Sequence, residues 1–270
     1  DGGHNWDLVT WGLGVSVCNC RDGTVVALDY RTYPSEDGVT ETYDARGIHV
    51  RPDYRNSGNP FRARTHVPGS VPIVNDQGLY GGGPVFWRSI IEDEAGTLLA
   101  TGYGTFADND EPPLGYPREW GMRRNQSFLL ASHDQGRSWE LRSIIAGDRV
   151  TGQEGFGEPV MAHLGGGELV VVMRTGRSAP LYQCRSLDYG YTWSAPESLH
   201  VPGVDPSLLV LHDGTLVLGW GTRVPDAPYD KANLEDHQRR YVEGHGDPPL
   251  VRGGYIAFSR DGGRAYSAPL

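Results

Sequence analysis

The sequence predicts an all-β fold, a β-propeller built from repeated four-stranded antiparallel blades. Three observations predict it. One turn motif recurs along the chain, a second turn motif precedes it in a fixed order, and the composition is turn-rich, with 38 Gly and 19 Pro in 270 residues. Four strands repeating every ~40–55 residues is a propeller pattern. A sandwich would leave the fixed order of two different turns without a cause. One domain over residues 1–270 is expected.

The first motif reads Ser-x-Asp-x-Gly-x-(Thr/Ser/Ala)-aromatic. It stands at Ser132–Trp139, Ser186–Trp193 and Ser259–Tyr266. An Asp in this place accepts hydrogen bonds from backbone N–H groups just downstream, the Gly supplies positive φ, and the aromatic anchors the next strand. The opening Asp1–Trp6, DGGHNW, fits the same frame without its leading Ser-x. The chain is therefore expected to start inside a repeat unit, with Asp1–Val9 as the last strand of a preceding blade.

The second motif is a Gly turn followed by a β-rich run. Its copies are Arg21–Tyr30, Glu94–Tyr103, Gly165–Arg174 and His212–Gly221. Each reads as a hairpin and a strand. Gly167 precedes the box residue Asp188 by 21 positions, and Gly23 precedes Asp44 by the same 21. Thr42-Tyr43-Asp44 is thus read as a decayed box. Wider gaps place insertions at 104–124 and 224–250, and the stretch 55–82 is read as a long connection or an irregular edge strand. Four blades carry both turns.

Composition excludes several classes. A net charge of −10 argues against nucleic acid as a partner. No apolar run reaches the ~20 residues needed to cross a bilayer. Cys18, Cys20 and Cys184 lack the spacing of a zinc site, and the nine His are scattered. No metal or other cofactor is expected.

Aligning the repeats picks out charged positions that should meet at one mouth of the central channel. Glu158-Pro159 and Asp205-Pro206 lie nine residues before their turn glycines, and Arg88 lies eight before Gly96. Arg174 lies seven after Gly167, at the far end of the returning strand. Arg88, Glu158, Arg174 and Asp205 should therefore crowd together. A pair of Arg invites a carboxylate, which a guanidinium binds bidentately. The alternative is a structural ion pair between Glu158 and Arg174.

Together, the boxes, FWRS–GTLLA, GEPVMAHLGGGELVVVMR and LYQCRSLDYGYTWS resemble the bacterial sialidases and sialidase-like proteins, most clearly over 83–270. The resemblance implies a six-bladed propeller and an exo-α-sialidase-like glycosidase acting on sialylated or other acidic glycans. It implies that Arg88 and Arg174 bind the sugar carboxylate and that Glu158 activates a nucleophilic Tyr. It places the acid/base on the GTFADND loop, at Asp110 with Asp108 as rival. The third Arg would be Arg252, with Arg223 as rival. Phe86-Trp87-Arg88-Ser89 departs from the family's Phe-Arg-Ile-Pro after the Arg. Tyr241, Tyr255 and Tyr266 do not fit the nucleophile's setting, so that Tyr is expected past Leu270. The chain then reads as a piece clipped at both ends, itself inactive. Secretion would follow if a preceding segment carried a signal peptide.

A Tyr near its ordinary pKa of ~10 is a poor nucleophile without an adjacent carboxylate, and Tyr-nucleophile sialidases depart from the two-carboxylate glycosidase pattern. Two rivals keep the Arg mouth. One is a propeller glycosidase or lyase on other acidic glycans. The other is a non-catalytic glycan-binding propeller. Arg174→Ala is expected to abolish binding of a carboxylate sugar while leaving the fold.

Overall fold

The computed structural model describes residues 16–50, 59–74, 82–176, 179–222 and 253–270. Regular structure among them is β, apart from one short 3-10 turn at Arg118–Trp120. The strands fall into successive antiparallel meanders. The first blade joins β1 (Ser16–Asn19), β2 (Val25–Leu28), β4 (Thr42–Val50) and β5 (Asn59–His66), with the short β3 (Tyr33–Pro34) flanking β4. The second joins β7 (Val85–Glu92), β8 (Leu98–Phe106), β9 (Gln126–Ser132) and β10 (Ser138–Ala146), and β6 (Ser70–Val71) adds to β8. The third runs β11 (Gly157–Gly165), β12 (Glu168–Arg174), β13 (Pro180–Ser186) and β14 (Glu197–Pro202). The fourth runs β15 (Val204–Val210), β16 (Leu216–Thr222) and β17 (Gly253–Ser259). Ser267 and Leu270 hydrogen-bond alongside β17, at 2.8 Å to the Phe258 carbonyl and 2.9 Å to the Ile256 carbonyl.

Blades one and two also touch edge to edge. β1 runs parallel to β7 at Val17/Ser89, and β5 runs parallel to β10 over Arg64–His66 and Ser138–Glu140. The two blades thereby close into one circuit of strands.

The four Gly turns form as the spacing predicts. Gly23, Gly96, Gly167 and Gly214 have φ of 82°, 85°, 85° and 82°, left-handed values that cost a Cβ-bearing residue about 1 kcal/mol or more. The three boxes are built alike. The Ser hydroxyl accepts from the Gly N–H at 2.8, 2.8 and 2.7 Å for Gly136, Gly190 and Gly263. The Asp carboxylate accepts from the backbone N–H of Ser138, Thr192 and Ala265 at 2.9, 2.9 and 3.0 Å.

Each box also grips the blade before it. His49 donates to the Gln135 carbonyl at 2.7 Å, Arg142 to the Tyr189 carbonyl at 2.9 Å, and Gln183 to the Gly263 carbonyl at 2.8 Å. The boxes are thus turns inside one blade and clamps onto its neighbour. With the Gly turns they occupy one end of the molecule, since strand directions alternate. The starts of β7, β11 and β15 lie at the opposite end.

Two expectations are overturned. The stretch 55–82 is not simply a long connection or an irregular edge strand, since β5 pairs with β4 over all eight of its residues without a register shift. Thr42, Tyr43 and Asp44 are not a box. They open β4, where Asp44 pairs across the sheet with Tyr33 and Arg64. The match of 21 positions arose because residues 33–41, including β3, are inserted between β2 and β4. Residues 51–58 between β4 and β5 lie outside the described residues, as do Asp1–Val9 and the stretch 224–250.

The core lies between blades. Alternate residues of a strand point to opposite faces, so blades two and three each pack on two neighbours. In β8, Leu98 and Ala100 join Val26, Leu28 and Ala63 of blade one, whereas Leu99 joins Met161, Leu169 and Val171 of blade three. In β12, Val171 faces back to blade two, and Val172 packs with Leu218, Trp220 and Ala257 of blade four.

Candidate functional site

The mouth is built from two strand positions repeated in each blade. The first is near the start of the innermost strand. Arg88, Glu158 and Asp205 take it in blades two, three and four, with φ of 51°, 48° and 51°. Pairing slips at each, between Phe86 and Ile90, Gly157 and Val160, and Val204 and Ser207. Each innermost strand therefore carries a bulge that turns one charged side chain out of the ladder. Left-handed conformation in a non-Gly residue costs about 1–3 kcal/mol and tends to gather at functional sites. Thr101 helps fix two of the bulges, its hydroxyl lying 3.0 Å from the Trp87 carbonyl and 2.8 Å from the Pro159 carbonyl.

The second position lies toward the end of the next strand or just past it, seven residues after the turn glycine. Tyr30, Tyr103, Arg174 and Gly221 occupy it. Tyr30 and Tyr103 flank Trp87 edge-on, with ring centroids 5.8 and 5.9 Å away. Arg88 lies over the Trp87 ring at 4.9 Å. The mouth therefore joins an aromatic wall to a charged network.

That network is continuous. Arg174 donates to Glu158 Oε1 at 2.7 Å and to Glu154 Oε2 at 2.8 Å. The other Glu158 oxygen accepts from the Asp205 backbone N–H at 3.0 Å. Asp205 Oδ1 accepts from Arg88 at 3.3 Å. Burial opposes the charge on Arg174, but Glu154 and Glu158 outweigh it and raise its pKa above the ordinary arginine value. The outer pair is weaker. The Arg88 and Asp205 side chains are 43% and 34% exposed, and such pairs contribute only about 0–1 kcal/mol. That is less than the strain at the two residues that make it.

Two buried donors in this region have no acceptor among the described residues, Trp87 Nε1 and Arg174 Nε. Each costs about 1–3 kcal/mol unless a partner arrives. Tyr103 lies within reach of the Glu158 charge, and burial first, then that charge, raise its pKa. That direction is opposite to what a nucleophile needs.

The structure brings Arg88, Glu158, Arg174 and Asp205 together. It puts Asp108 and Asp110 on the loop after β8, with other partners. Asp110 faces Arg118 at 4.0 Å, and Asp108 accepts from Gln126 at 3.2 Å. The same loop docks beside the network, Leu114 donating to the Gln153 carbonyl at 2.7 Å and Asn125 to the Glu154 carbonyl at 2.8 Å. Arg252, Arg223 and Tyr241 lie outside the described residues. Sequence reasoning missed Glu154, Tyr30 and Tyr103. Counting seven from each turn glycine would have found both tyrosines, but Glu154 sits in a loop that follows no repeat. No group of three His, Cys, Asp or Glu among the described residues is placed to hold a metal.

Several known proteins share this architecture. A crystal structure of a protein of unknown function from Dyadobacter fermentans is 19% identical, over 77% of this chain and 56% of that one, with a TM-score of 0.55. A Hadza microbial sialidase is 14% identical, over 96% and 45%, with a TM-score of 0.53. An α-L-arabinofuranosidase from Fusarium graminearum, in complex with an iminosugar inhibitor, is 15% identical, over 93% and 63%, with a TM-score of 0.55. The chain thus spans between 45% and 63% of the lengths of these structures, and at such identities they carry the fold alone. No curated protein matches it. The model of the BNR repeat-like domain matches residues 37–232. With most of its length matched, its blades in series and its box turns formed, the chain belongs to the BNR repeat-like domain family.

Proposed function

We propose that the chain carries the reaction mouth of a six-bladed propeller glycoside hydrolase that releases a terminal acidic sugar, of the sialic acid class, from glycans. The observation that carries this reading is the network itself. Charged residues stand at one repeat position in three consecutive blades, each in a costly backbone conformation, beside an aromatic wall. A propeller needing only stability would not place them so. Aromatic faces suit the apolar side of a sugar ring, and guanidinium forks suit its carboxylate.

On this reading Arg88 and Arg174 hold the substrate, Arg252 completes the carboxylate site, Glu158 is the catalytic carboxylate, and Asp110 on the adjoining loop is the acid/base. Asp110 would turn from Arg118 when substrate binds. The nucleophile is not assigned to a described residue. Support for a glycosidase also comes from the fold shared with a sialidase and an arabinofuranosidase.

A second reading is favoured by one observation. Both Nη groups of Arg174 are already taken by Glu154 and Glu158. Carboxylates then outnumber Arg in the network, an arrangement better suited to a neutral sugar such as an arabinofuranoside. The test is sugar release by the gene's full-length product from sialosides and α-L-arabinofuranosides side by side. Release of sialic acid alone supports the first reading, and release of arabinose alone the second. Release of neither sinks both.

A further inference from the structure

We propose that Asp205 is a specificity-determining residue, a built-in carboxylate that occupies Arg88 and that an acidic sugar must displace. This rests on the mouth being a sugar site. Three observations carry it. The Asp205 side chain takes Arg88 from two blades away, 117 residues along the chain, at 3.3 Å. It thus holds on Arg88 the place that a substrate carboxylate would need. The pair is half exposed, so a ligand reaches it from solvent and the pair itself stabilises little. Asp205 and Arg88 both hold left-handed backbone, at φ of 51° each, so their meeting is not a by-product of relaxed strands.

The arrangement has a sign. With Asp205 charged, Arg88 is satisfied, and an incoming anion meets both a competitor and a like charge. A neutral sugar meets neither. Asp205 therefore lowers affinity for acidic ligands and leaves neutral ones alone. Its backbone N–H, which bonds Glu158 at 3.0 Å, is unaffected by changes to its side chain.

Asp205→Asn removes the charge and keeps a residue that tolerates left-handed backbone. Asp205→Gly does the same with no side chain at all. The experiment is calorimetric titration of the wild-type chain and both variants with N-acetylneuraminic acid and with its methyl ester, which has the same shape and no charge. The expected result is roughly five-fold tighter binding of the acid by both variants, with the ester unchanged. Unchanged or weaker acid binding by the variants, beside clear binding by the wild type, overturns the proposal and leaves the sugar site standing. A parallel change for acid and ester also overturns it, since that would mark a change of shape. If none of the three proteins binds either compound, the sugar-mouth reading fails and this one with it.

Discussion

Arg174 holds two carboxylates at once, and its side chain is 15% exposed. Removing a partner from such a cluster leaves buried charge uncompensated, which costs about 3–5 kcal/mol. Arg174→Ala should therefore lower the urea midpoint by that equivalent, and adding Glu154→Gln and Glu158→Gln to it should recover part of the loss. Arg174→Lys should recover less than half, because one ammonium cannot serve two carboxylates with a planar fork. No recovery in the triple variant would mean the cluster is not an electrostatic unit. Loss of sugar binding in Arg174→Ala has to be read beside its unfolding curve. At this scale the sequence showed the four charged repeat positions and the Glu158–Arg174 pair, but not Glu154. Glu158, Arg174, Arg88 and Asp205 follow the repeat, so counting brought them together. Glu154 came into view only with the fold, because loop positions have no period. Tyr30 and Tyr103 end β-rich runs, where an uncharged side chain gave no sign of the mouth.

Turns and strands were the most legible elements, because a Gly with positive φ and an Asp that caps its own turn act locally. All four Gly turns and all three boxes form where their motifs stand. The failure at Asp44 is equally physical: an inserted segment, 33–41, reproduced a spacing without reproducing the Ser-x-Asp-x-Gly chemistry. Two predictions belong to the box. Hydrogen bonds from Thr192, side chain and backbone, lower the Asp188 pKa from 3.8 to about 2. A depressed carboxylate stabilises the fold above its unfolded pKa, and that contribution fades as pH falls from about 4 to about 2. Asp188→Asn should flatten the fall in thermal midpoint over that window. An unchanged slope would show that the turn does not depend on the charge. The box aromatics differ in burial. Trp139 is fully buried and donates to the Gly136 carbonyl at 2.8 Å, whereas Trp193 is only partly buried. Trp139→Ala should cost about 3–5 kcal/mol in denaturant unfolding and Trp193→Ala clearly less.

At the scale of the whole molecule, stability resides in the joints between blades. A single antiparallel sheet with two apolar faces cannot bury either of them alone, so blades two and three depend on both their neighbours. The period of two in β12 makes this testable within one strand. Val171 shares a cluster with Leu129 of blade two, and Val172, the next residue, shares one with Leu218 of blade four. Residues in one packed cluster couple by about 0.5–3 kcal/mol, whereas separated ones add. Val171→Ala with Leu129→Ala, and Val172→Ala with Leu218→Ala, should each depart from additivity in urea unfolding. The crossed pair, Val172→Ala with Leu129→Ala, should add within about 0.5 kcal/mol. Equal coupling in all three pairs would mean that the two faces of β12 do not bound separate cores. Coupling confined to the matched pairs would make each blade a wall shared by two cores. The clamps from each box to the preceding blade then act on the same joints, Ser143 meeting the Trp193 ring nitrogen at 2.9 Å where blades two and three pack. Such joints hold the innermost strands at fixed spacing, and that spacing lets Arg88, Glu158 and Asp205 of three different blades meet within hydrogen-bonding distance.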